Sequence, residues 1–349
     1  MLQSNGIQNP SLGAGARALL FNCGQVGSGD RVYIISNPST ESLGELLKSE
    51  ALNNCNNVEH DIIEEFKMHG QEPAVEVAAK MFAATVVFCI TKMSMAHTKA
   101  RLKANANRVR YFSLPDYSDN VMSSKALLAD FRSFKSLSEN IAQLLTGANE
   151  VSLTTKLGTD LKMNVKGRTA NAAPGFCYGD VLLASPPDAE TNIAPNEFLT
   201  NGIAVIDGSI PCREIGLLES PIRLEIINGV VNKISGAKSD ILGALFDRVN
   251  DPKCRIVAEF GIGLNSLAEL KGAMLEDEGT LGTVHLGIGS NKTIGGENEV
   301  PFHLDHVIRD ATVTVDNRVL MREGVMDSDF LASVLNNQEN GKRDQGIYN

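Results

Sequence analysis

Along the first third of the chain, short apolar runs alternate with longer stretches whose apolar residues fall three and four positions apart. RVYIISN (31–37), VEHDII (58–63), ATVVFCIT (84–91) and VRYFSLP (109–115) have the length and β-branched content of strands. Between them lie three segments with helical spacing: 41–53, with Thr40 placed to cap it, EPAVEVAAKMF (72–82) and TKARLKANANR (98–108). ARALLFNCG (16–24) reads as a short helical lead-in. ATVVFCIT is apolar throughout, as a strand covered on both faces must be. Strict alternation of strand and helix predicts a parallel sheet with right-handed crossovers, open to ligands at the carboxyl ends of its strands.

Ser94, His97 and Arg101 follow directly on the third strand. His97 is placed there either to face a ligand or to occupy the surface at the start of a helix. No G-x-G-x-x-G follows the first strand, so no nucleotide cofactor is expected, and GQVGSGD (24–30) reads as a turn.

An amphipathic helix at 125–145 stops at Gly147, and the pattern then changes from helical to alternating. EVSLTTKLGTDLKMNVKGR (150–168), PGFCYGDVLLASPPD (174–188), NGIAVIDGSI (201–210), SPIRLEIINGVVNKIS (220–235) and DATVTVDNRVLMREG (310–324) read as antiparallel strands and hairpins. Asn228-Gly229 is a type I′ turn signal, and ILGALFDRVND (241–251) is the one clear helix among these strands. The expected architecture is an α/β N-terminal domain with a mostly parallel sheet (1–148), which helps shape a cleft. An α+β C-terminal domain rich in antiparallel strands (149–349) follows and carries the chemistry. The polar tail from 336 onward is expected to fray.

Composition narrows the partners. A formal net charge of -10 opposes binding to nucleic acid or anionic membranes. No apolar run approaches the roughly 18 residues of a spanning helix, and MLQSNGIQNP lacks the marks of a signal peptide, so a cytoplasmic location is expected. The six cysteines are widely spaced with no C-x-x-C pair, which predicts buried free thiols, with Cys89 in the core.

The chemistry concentrates in 257–305, which runs VAEFGIGLN, LEDEGTLGTVHLGIGSN and IGGENEVPFHLDH. Glu259 and His285 each interrupt an apolar strand and are each followed by G-I-G. His303 and Asp305 form an H-x-D pair that a strand projects to one face. A buried carboxylate without a partner costs several kcal/mol, and no lysine or arginine lies within these strands. Imidazole and carboxylate together point to zinc, manganese, cobalt or ferrous iron. In the run Glu276, Asp277, Glu278, the first two are expected in a solvated loop.

AEFGIGLN, DEGTLGTVHLGIGSN, GG and HLD, in that order, resemble the thermophilic aminopeptidase T family of metallopeptidases and their shorter relatives. The resemblance implies one or two divalent ions (Zn, Co or Mn) held by Glu259, His285, His303 and Asp305, with Glu278 as a further ligand or the base that deprotonates water. The family's first metal-binding glutamate would fall on Asp180. The chain also resembles the 2,5-dihydroxypyridine dioxygenases, mononuclear non-haem iron enzymes whose His-x-Asp pair HLD matches. In that branch a histidine stands where Glu259 does here, and His97 resembles a histidine that faces the substrate.

The expected function is therefore a metal-dependent, aminopeptidase-like hydrolase acting on an amide or peptide bond of a small molecule or short peptide. Metal-activated water attacks, Glu278 moves the proton, and His97 or Arg101 orients the substrate. The alternatives are a ring-cleaving Fe(II) dioxygenase and a non-catalytic metal- or ligand-binding protein. A homodimer is expected from the relatives.

Overall fold

The computed structural model describes residues 10–335, so the polar tail lies outside it. The described chain forms two compact units. One takes the chain to Arg132 and adds Gly175–Ala189 and Asn265–Ala268; the other holds Ser133–Pro174, Glu190–Leu264 and the chain from Glu269 on.

The first unit is built on a five-stranded, wholly parallel sheet in the order Val58–Ile62, Val32–Ser36, Val86–Ile90, Arg110–Ser113, Leu183–Ala184. Two of the three inner strands, Val32–Ser36 and Val86–Ile90, are buried at every position, as their largely apolar content requires. The crossovers are the helices Glu41–Leu52, Val75–Ala83 and Lys99–Ala106, the last capped by Thr98, whose Oγ1 accepts from the Arg101 N–H. The fifth strand departs from expectation. Leu183–Ala184 pairs in parallel with Tyr111 and Phe112 and so extends the first sheet, where the sequence pattern predicted an antiparallel hairpin. The helix expected over 125–145 is also broken. A 3-10 turn at Lys125–Leu128 ends in the extended Ala129 (ψ 149), and the long helix is Phe131–Thr146.

The second unit contains two antiparallel sheets, of eight and seven strands. In the eight-stranded sheet, Ile222–Ile227 and Val230–Gly236 meet at Asn228 and Gly229, whose φ values of 49 and 73 are both positive, as a type I′ turn needs. The seven-stranded sheet runs Gly216–Leu217, Ser209–Ile210, His303–Arg309, Thr283–Gly289, Val257–Gly263, Glu190–Ile193, Asn171–Ala173. An α/β unit with a parallel sheet and a unit of antiparallel sheets together make the architecture expected from the sequence. Among the described residues no helix is long and apolar enough to cross a membrane.

Candidate metal centre

Register decides which side chains meet. In the central strands of the seven-stranded sheet, Glu259 stands opposite Gly287, which stands opposite Asp305. Gly261 is opposite His285, Gly289 opposite His303, and Gly263 opposite Glu190. Directly paired residues share a face and the side-chain period is two, so Glu190, Glu259, His285, His303 and Asp305 all project to one side. The reverse side carries Phe260, Ile262, Val284, Leu286, Ile288 and Ile308, all fully buried.

The G-I-G signature now has a steric explanation. A Cβ on Gly261 would stand 2.0 Å from Nε2 of His285, and one on Gly287 would stand 2.6 Å from Cε1 of His303 and 2.7 Å from Cβ of Glu259. The missing side chains are the space into which the imidazoles fold.

Two groups of ligand atoms result, Glu190–Glu259–His285 and Glu259–His303–Asp305, each with its atoms within 4.8 Å of one another and Glu259 common to both. His285 Nε2 lies 3.1 Å from Glu190 Oε2 and 3.9 Å from Glu259 Oε1. His303 Nε2 lies 3.3 Å from both Glu259 Oε2 and Asp305 Oδ1. Nδ1 of His303 sits 2.8 Å from the Ser290 carbonyl, to which it must donate, so Nε2 is the nitrogen turned to the carboxylates, where it donates when protonated and is free to ligate when not. Glu190, Glu259, His285 and Asp305 are buried, and the His303 side chain is 34% exposed, which makes it the open side of the cluster.

Electrostatics favours a cation here. Burial opposes the charge of Glu259, but hydrogen bonds from His285 and His303 outweigh it and hold the carboxyl below its ordinary pKa. Asp305 is likewise held low against burial, by His303 above all. Glu190 is pushed up, first by burial and then by the neighbouring Glu259 charge. Burial would lower both imidazoles, yet the carboxylates raise His285 and His303 well above their usual value. Among the described residues, the ion pairs of Glu190, Glu259 and Asp305 are with these imidazoles alone. Three buried carboxylates therefore depend on two imidazoles for compensation. A divalent ion would replace those protons and satisfy the same oxygens, and the nitrogen and oxygen donors fit one.

Of the residues singled out from the sequence, Glu259, His285, His303 and Asp305 come together. Glu278 helps to hold the Asp305 carboxyl low, after His303 and His285. Asp180 belongs to neither group: its side chain is 97% exposed and paired with Arg108. The acid that completes the set is Glu190, which sequence reasoning missed. His97 lies exposed in the first unit beyond the third strand of the parallel sheet. Arg101 is tied down locally, its Nε donating to the Ala96 carbonyl and its Nη1 to Asn105 Oδ1. Glu276 and Asp277 are buried, contrary to the solvated loop expected. Asp277 accepts from the backbone N–H groups of Lys271, Gly272 and Ala273 and from Ser209 Oγ, so this acidic run braces the segment that presents Glu278.

The family model of the 2,5-dihydroxypyridine 5,6-dioxygenases matches residues 23–328, and the chain belongs to that family. A 2,5-dihydroxypyridine 5,6-dioxygenase of Pseudomonas putida is 26% identical over 141 residues, a match covering 37% of this chain and 40% of that protein. The solved structure of 2,5-dihydroxypyridine dioxygenase from Pseudomonas putida superposes with a TM-score of 0.77 at 18% identity, covering 92% of this chain and 98% of that one. AmpT from Thermus thermophilus superposes with a TM-score of 0.64 at 15% identity over 90% of this chain and 98% of its own. At these identities both superpositions show a shared fold. Family membership overturns the aminopeptidase-like metallohydrolase expected from the sequence, since the likeness to AmpT is one of fold.

Proposed function

We propose that this protein is a metal-dependent dioxygenase that opens a dihydroxylated pyridine-type ring, with a ferrous ion held by Glu259, His303 and Asp305. The family match over residues 23–328 carries this reading, and the buried anionic donor set supports it. When bound, ferrous iron supplies the redox chemistry that allows dioxygen to react with an aromatic ring.

The chain's own residues hold the ion and manage protons. Glu259 faces both imidazoles and fixes the spacing between the two groups. His303, oriented by the Ser290 carbonyl, sits at the open side where a substrate arrives. Glu278 acts on the Asp305 carboxyl and is the residue that would hold or move a proton there. Iron enzymes of the facial-triad type combine two imidazoles with one carboxylate. Here each three-residue group has one imidazole and two carboxylates, so Glu190–Glu259–His285 adds capacity for a second divalent ion.

The test is oxygen uptake by protein loaded anaerobically with Fe(II) and given 2,5-dihydroxypyridine. Oxygen consumption matched to loss of the ring's ultraviolet absorbance is expected, and iron-loaded protein that consumes no oxygen with any dihydroxypyridine isomer would sink the reading.

A further inference from the structure

We infer that Asn192 and Asn171 are positioning residues that aim one oxygen of Glu190 at the metal centre. This rests on the metal centre proposed above. Asn192 is two residues from Glu190 on the same face of its strand, is 6% exposed, and donates from Nδ2 to Glu190 Oε1 at 2.6 Å. Asn171, on the edge strand Asn171–Ala173, stands directly opposite Asn192 and donates from its Nδ2 to Asn192 Oδ1 at 2.9 Å.

A carboxamide has one accepting end and one donating end, so a donor from Asn171 on the oxygen turns the nitrogen of Asn192 toward Glu190. With Oε1 held, Oε2 is left facing His285 Nε2 at 3.1 Å, in the group shared with Glu259. Asn192 touches Glu190 itself, whereas Asn171 acts on it through Asn192. Their effect runs in series, from Asn171 through Asn192 to the carboxylate, and partners of this kind commonly change metal affinity about tenfold to a hundredfold.

The series arrangement separates this role from a merely structural one. Metal-free wild type, Asn192→Ala, Asn171→Ala and the double variant would be titrated with Mn(II), reading free ion by its electron paramagnetic resonance signal. Circular dichroism of each metal-free protein would confirm folding. The expected result is a tenfold to hundredfold weakening in Asn192→Ala, a smaller one in Asn171→Ala, and no further loss when Asn171→Ala is added to Asn192→Ala. Asn171→Asp, which can only accept from Asn192 and so reverses its amide, should weaken Mn(II) more than Asn171→Ala. Folded Asn192→Ala that binds Mn(II) as tightly as wild type would overturn the inference, as would additive losses in the double variant. Failure of wild type itself to bind Mn(II) would overturn the metal centre as well, which distinguishes the two.

Discussion

The imidazole of His303 lies over Gly287, the residue that stands between Glu259 and Asp305 on the neighbouring strands. An alanine at 287 would press on both His303 and Glu259, and one at 261 would occupy the position of His285 Nε2. Gly287→Ala and Gly261→Ala are each expected to destabilise the fold by about 1–3 kcal/mol and to lower bound metal at least tenfold. Gly243, in the helix Ser239–Arg248, is the control: a Cβ there meets nothing within 4 Å, and alanine should stabilise by about 0.5–1 kcal/mol. Thermal melts and metal analysis of the three variants check this.

Glu190 and Asp180 give opposite expectations. Glu190→Gln removes a buried ligand charge and should reduce metal content, whereas Asp180→Ala, at an exposed ion pair worth roughly 0–1 kcal/mol, should leave metal content and melting temperature nearly unchanged. Equal metal loss in the two variants would contradict this assignment of the acid ligand.

The two ligand imidazoles set an alkaline limit for the metal-free protein. His285 and His303 have folded-state pKa values above the roughly 6.5 of an unfolded histidine, so their contribution is complete below that pH. It is lost as pH rises through the raised folded values. Melting temperature of the metal-free protein should therefore fall on the alkaline side, and added Mn(II) should restore it most where the imidazoles have lost their protons.

His306 acts in the other direction. It points to the apolar side of the sheet, is fully buried, holds its Nδ1 near the carbonyls of Leu286 and Leu304, and stacks on Phe246. Burial pushes its pKa down to about 4. The unfolded chain takes up this proton near 6.5 and the folded chain only near 4, so stability falls as pH drops between those values. His306→Leu should flatten that acid limb by roughly 3 kcal/mol in denaturant titrations at stepped pH.

The parallel sheet was legible because its inner strands Val32–Ser36 and Val86–Ile90 are apolar at nearly every position and its helices keep a three-to-four spacing. Glu259 and His285 were legible for a related reason: a polar residue inside VAEFGIG or TVHLGIG is conspicuous against apolar neighbours. Glu190 lies in ETNI, a short strand of mostly polar residues in which an acid attracts no notice, and only pairing with Gly263 brings it to the cluster. The available signal was its alternation with Asn192. Leu183–Ala184 was misread because two residues carry no periodicity and their partner strand is far away in sequence. Asp277 was misread because a charged run normally marks solvent, whereas three backbone donors and a serine here take the place of water.

Glu259 belongs to both groups of ligand atoms. In the proposed centre a carboxylate used twice would tie the two halves into one thermodynamic unit: an ion on either side would withdraw charge from the oxygens offered to the other. By reciprocity each half reports on its neighbour. An affinity measured for one ion would thus be conditional on the occupancy of the other half, and a substitution at residue 259 would perturb both at once.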